Sequence, residues 1–108
     1  MFVLTSRMLK APEEINKVME AHSAFIIDGY NQGRILVSGR LEPWEGGVII
    51  ARAASVEELR AWVATDPLAI GDLVHYEIQE FNATGFPKRS AAFDLFESAP
   101  LGSAAGSQ

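Results

Sequence analysis

The strongest constraint in this sequence is the order in which its hydrophobic spacing changes along the chain. Residues 1–9 place Phe2, Leu4, Ser6 and Met8 on one face and Val3, Thr5 and Arg7 on the other, which predicts a strand. Lys10-Ala11-Pro12-Glu13-Glu14 has the chemistry of a helix start, because proline suits the first turn and carboxylates meet the positive end of the helix dipole. Ile15, Val18, Met19, His22 and Ile26 then recur at helical spacing, predicting one long helix that lays this stripe on a sheet and closes at Gly33. Residues 34–38 and 48–51 read as two strands of a hairpin, joined by a wide loop rich in glycine and containing Pro43. Ser55-Val56-Glu57-Glu58 matches a capping box, in which serine and glutamate satisfy free backbone N–H groups reciprocally. The helix it opens carries Val56, Leu59 and Val63 on one stripe with Trp62 beside it. It ends at Asp66-Pro67, since proline disfavours helical geometry in the residue before it. Residues 74–81 alternate as a last strand.

The order β-α-β-β-α-β predicts an α+β, ferredoxin-like fold, with both helices on one face of an antiparallel four-stranded sheet. The opposite face is left bare and can pack on the same face of a second copy, so a homodimer or higher homo-oligomer is expected. A length of 108 residues suits one domain. Residues 1–82 form it, and residues 83–108 read as a C-terminal extension and flexible tail with a short apolar patch at Phe93-Asp94-Leu95-Phe96.

A formal net charge of −5 argues against the positive field that nucleic acid or an anionic lipid surface requires. The absence of cysteine excludes disulfides, thiolate metal ligands and cysteine nucleophiles. With only 2 histidines and no HExxH pair, a dedicated zinc or haem site is not expected, and there is no phosphate-binding GxxxxGK[ST], GxGxxG or GxSxG segment. No cofactor is therefore predicted. An RNA-recognition module shares the element order, but residues 48–52 lack the aromatic side chains on which bases would stack. The first residues lack a signal-peptide pattern, and the apolar runs fall far short of the ~20 residues that span a bilayer. A cytoplasmic protein with a small-molecule ligand is the expectation.

His22 is the most informative polar residue, because it lies on the stripe that should face the sheet. On spacing alone it reads first as a satisfied structural histidine and second as a proton-transfer group. Asp66, at the expected C-terminus of the second helix, would meet the negative end of the dipole and need compensation, either from a turn with Pro67 or from a hydrogen-bonding partner. Ser38 and Arg40, near the end of the second strand, are candidates to bind an anionic or phenolic substrate oxygen. Their ordinary readings are an edge or turn serine and a solvated loop cation. Tyr76 and Trp44 can line a pocket, although core or interface packing explains most such aromatics. His75 alternates with Tyr76, so the two face opposite sides of the sheet.

The chain resembles the YciI-like (YCII-related) family of small dimeric α/β proteins across residues 1–82. The resemblance rests on His22 in the first helix, the Gly33-Arg34-Ile35-Leu36-Val37-Ser38-Gly39 segment, the strand after Gly46-Gly47, and Asp66-Pro67 after the second helix. It implies a dimeric α/β barrel and a catalytic His-Asp dyad, here His22 and Asp66. It also implies cofactor-independent chemistry on a small organic substrate, of the dehydrochlorinase, lyase or isomerase kind. Where many relatives place proline directly after the glycine, this chain has Arg40-Leu41-Glu42-Pro43. Two other readings stand beside this one: a non-catalytic ligand-binding or accessory homodimer, and a cofactor-free oxygenase acting on a phenol.

Overall fold

The computed structural model describes residues 1–85, so the Phe93–Phe96 patch and the tail expected from the sequence lie outside the described residues. Four strands, β1 (Phe2–Met8), β2 (Ile35–Arg40), β3 (Gly46–Ala51) and β4 (Val74–Glu80), form one sheet in the order β2-β3-β1-β4. Every neighbouring pair is antiparallel. Helices α1 (Pro12–Asn16) and α2 (Met19–Asn31) join β1 to β2, and α3 (Val56–Val63) and α4 (Pro67–Ile70) join β3 to β4. This is the ferredoxin-like arrangement, and the expected element order holds.

The main core lies between the sheet and the helices, where Phe2, Leu4, Ile35, Ile49 and Ala51 meet Leu59 and Val63 of α3. A second cluster, Ile15, Leu68 and Val74, closes the other end. Gly29 allows α2 to approach β2 and α3 closely, because a Cβ there would stand 2.5 Å from Ile35 Cδ1 and 2.9 Å from the Trp62 ring. Gly33, at φ 73°, terminates α2, with Arg34 N–H bonding back to Gly29 O at 2.9 Å. Ser55 caps α3 by accepting from Glu58 N–H, whereas the Glu58 carboxylate reaches past Ser55 to Ala54 N–H at 2.7 Å. The box is thus shifted by one residue on its return bond.

Three features depart from the expected layout. The first helix is two helices: Lys17 and Val18 bond to the carbonyls three residues back, a tight turn that sends Ile15 into the second cluster. The hairpin loop is narrower than predicted, because β2 runs on to Arg40 and β3 begins at Gly46. The glycines there serve the strands: a Cβ on Gly46 would fall 1.8 Å from Ser6 O, and one on Gly47 2.9 Å from Gly39 O. Asp66 does not end α3; that helix stops at Val63, and Asp66 is the N-cap of α4 with Pro67 in the first turn. The penalty expected from a helix C-terminus is therefore replaced by a favourable N-terminal position.

The face away from the helices carries Val3, Ile50 and Val37 side by side in register, with Thr5 and Val48 as the next cross-strand pair. Val37 is 52% exposed. His75 is exposed, while Tyr76 points to the helix side. No helix among the described residues is long and apolar enough to cross a membrane.

Candidate active site

A cavity of about 390 Å³ opens between α2 and the sheet, at the end where β1 and β2 finish and β3 and β4 begin. Its size suits a compact organic molecule. His22 enters from α2, Tyr76 from β4, and Ser38 and Arg40 from β2, while Met19, Ile26 and Leu68 add apolar wall.

Behind His22 lies Asp66, with no exposed surface. His22 Nδ1 stands 2.9 Å from Asp66 Oδ1, the same oxygen accepts from Leu68 N–H at 3.0 Å, and Tyr76 O–H donates to Oδ2 at 2.6 Å. Three donors around a sealed carboxylate compensate for its removal from water. With Asp66 ionised the carboxylate only accepts, the ring nitrogen facing it is then the one that carries hydrogen, and in a neutral ring of that tautomer Nε2 is the basic nitrogen. Sequence spacing could not place these side chains together, yet they lie 44 positions apart in the chain and in direct contact in space. The compensation anticipated for Asp66 is both of those considered, the turn at Pro67 and the imidazole, with Tyr76 in addition. Burial, followed by the Asp66 charge and hydrogen bond, pushes the Tyr76 phenol well above its ordinary range, so it remains a donor.

Ser38 and Arg40 reach the cavity because of a β-bulge. Ile35 pairs with Ala51 but Val37 pairs with Ile50, so the register slips by one residue between them. Strict alternation from Ile35 would send Ser38 and Arg40 to the bare face; the bulge turns them to the helix side, opposite Ile49 and Gly47. Ser38 Oγ lies 2.9 Å from Tyr30 Oη, and the Arg40 guanidinium sits over the Trp44 ring with Cζ 4.0 Å from its centroid. The indole restrains the cation without neutralising it, leaving its N–H groups available to an anionic oxygen. Arg40 is thus a strand residue held by an aromatic, not the loop cation of its ordinary reading. Beside His22, Phe25 stacks on Trp62 at 4.6 Å between centroids, and the Arg34 guanidinium lies 5.2 Å from the centroid of that indole. Among the described residues, no group of three or more His, Asp or Glu side chains is placed to hold a metal ion.

The α+β fold with a His-Asp pair at a cavity between sheet and helix defines a class of small ferredoxin-like domains. The chain belongs to the YCII-related family, whose domain matches residues 1–82. Among solved structures it is similar to 5-chloro-2-hydroxyhydroquinone dehydrochlorinase from Burkholderia phenoliruptrix, determined in complex with 2,5-dihydroxybenzoquinone. That match has a TM-score of 0.58 at 18% identity and covers 76% of this chain and 94% of that one. Identity at this level establishes the shared fold alone. No curated protein matches the sequence.

Proposed function

We propose that this chain is a proton-transfer enzyme of lyase or isomerase type, needing no cofactor, with His22 as the general base and Asp66 as its orienting partner. The observation that carries this reading is the 2.9 Å contact between His22 Nδ1 and Asp66 Oδ1 at the wall of the cavity. The neutral ring takes a proton from a substrate O–H or C–H through Nε2, and Asp66 stabilises the imidazolium so formed. The electron pair released passes into the substrate's conjugated system. In a dehydrochlorination it leaves with chloride, for net loss of HCl; in an isomerisation the imidazolium returns its proton to another atom of the same substrate. Arg40 and Ser38, on the β2 side of the cavity, hold a phenolate or enolate oxygen against that flow of charge. A protein that merely binds a ligand would use the same cavity but has no need of an oriented imidazole.

The similarity to an enzyme that acts on a chlorinated hydroxyhydroquinone makes that compound the first substrate to test. Incubation with 5-chloro-2-hydroxyhydroquinone is expected to release chloride at a rate proportional to protein. If 2,5-dihydroxybenzoquinone and related phenols perturb the His22 ring resonances yet no substrate of this class turns over, the ligand-binding reading replaces catalysis.

The apolar row of Val3, Ile50 and Val37 supports a homodimer formed through the bare sheet face. Light scattering at micromolar concentration is expected to give twice the 11.8 kDa of one chain, and Val37→Glu to return the single-chain mass. A monomeric wild-type chain would remove the dimer from this account.

A further inference from the structure

We propose that Tyr76 is a positioning residue for the His22–Asp66 pair, its hydroxyl setting how strongly Asp66 draws a proton onto the imidazole. A structural tyrosine would need only some partner for its O–H in the interior. This one donates to the carboxylate oxygen that His22 does not use, so each oxygen of Asp66 is engaged and neither is free to rotate toward the cavity. The bond is short, 2.6 Å, and the acceptor is fully buried, which are the conditions under which a hydrogen bond to an anion withdraws the most charge from it. The less charge remains on Asp66, the less the imidazolium is favoured over the neutral ring. Tyr76 thereby opposes the partner it positions and keeps more of His22 in the form that can accept a proton.

The groups that bear on this equilibrium can be named element by element. Among the described residues, the titratable side chains lining the cavity are His22 from α2, Tyr76 from β4 and Arg40 from β2, with Asp66 behind His22 at the start of α4. Arg40 is a fixed positive charge held over Trp44 and disfavours the imidazolium in wild type and variants alike. Its effect cancels in a comparison of Tyr76 variants.

The importance of this tuning rests on His22 acting as a base, but the test needs no substrate. The sequence has only 2 histidines, and His75 is on the opposite face of β4, so the ring signals of His22 are separable in an NMR titration. In Tyr76→Phe, Asp66 loses one donor and keeps more of its charge, and the His22 ring is expected to titrate at higher pH than in the wild type. If Tyr76 were only structural, its loss would let water reach Asp66 and weaken the Asp66–His22 interaction. The titration would then stay in place or move to lower pH, and either result would overturn the proposal. A second measurement covers a variant that folds poorly. The chain has 2 tyrosines, so in a Tyr30→Phe background uniform 3-fluorotyrosine labels Tyr76 alone. The more acidic phenol donates more strongly, and the His22 titration is expected to move to lower pH, the opposite sign; no movement or an upward one would again overturn the proposal. Failure of these titrations with chloride release intact would remove only the role of Tyr76, whereas the expected shifts without turnover would leave the tuned pair and remove the enzyme.

Discussion

His22→Ala is expected to lose turnover by about 10²–10⁴-fold, the range supplied by a positioned general base, while the chain stays folded. Both halves of that result follow from the geometry. The imidazole lines the cavity and contacts Asp66 through Nδ1, so removing it takes away the proposed base and leaves the pocket otherwise built. Asp66 keeps Leu68 N–H and Tyr76 O–H, one donor on each oxygen, so the buried carboxylate is not orphaned. The side chain of His22 is 19% exposed, and water can replace it as a donor. A stability loss of about 1–2 kcal/mol is therefore expected, within what a domain of this size tolerates. Because the deleted ring leaves a gap open to the cavity, added imidazole should restore part of the rate. Full turnover by His22→Ala would end the proposed mechanism. Lost turnover together with a collapsed thermal transition would return His22 to the structural role that its spacing alone first suggested.

Much of the fold was legible in the sequence because periodicity is local. Phe2, Leu4 and Ser6 alternate into the core as read, and Leu59 and Val63 form the buried stripe of α3. Turn and helix-end signals are less specific. Glycines at 39, 46 and 47 look like turn residues, yet Gly46 and Gly47 are required by backbone that passes too close for any Cβ, a tertiary cause with no local signature. Pro67 signals the end of one helix by its sequence, and it equally suits the first turn of the next, which is where the structure has it. The candidate site shows the same division. His22 and Asp66 each stand out from their own segments, their pairing follows only from the resemblance to a family pattern, and the structure adds the contact between them. Ser38 and Arg40 were named from their place near the end of β2, but their direction depends on a bulge near Leu36 that alternation does not reveal. Tyr76 reads from the sequence as a pocket-lining or, more ordinarily, a packed aromatic. Its hydroxyl meets Asp66 only because β4 and the start of α4 close on each other, and no pattern within either segment specifies that.

Asp66→Ala is expected to have the largest effect on stability, and comparison with Asp66→Asn separates its two roles. Alanine removes the N-cap of α4 and leaves Leu68 N–H, Tyr76 O–H and His22 Nδ1 without an acceptor in a site from which water is excluded. A lost cap typically costs about 1 kcal/mol, and each buried group left unsatisfied about 1–3 kcal/mol, so with partial relaxation a loss of about 3–5 kcal/mol is expected. For a domain of this size that corresponds to a fall in Tm of roughly 15–30 °C. Asparagine behaves differently, because its shape fits and one orientation satisfies most of the site. With the amide oxygen at the Oδ1 position it still accepts from Leu68 N–H and His22 Nδ1, and its NH₂ group can donate to the Tyr76 oxygen. That variant is expected to lose only about 1–2 kcal/mol. It nevertheless has no charge with which to stabilise the imidazolium formed when His22 accepts a proton, so its turnover should fall nearly as far as that of His22→Ala. Thermal unfolding of the two variants, read beside their turnover, therefore carries opposite expectations for structure and similar ones for chemistry. Equal stability of Asp66→Ala and wild type would contradict the buried three-donor arrangement itself, while a stable, fully active Asp66→Asn would show that the carboxylate caps α4 and takes no part in proton transfer.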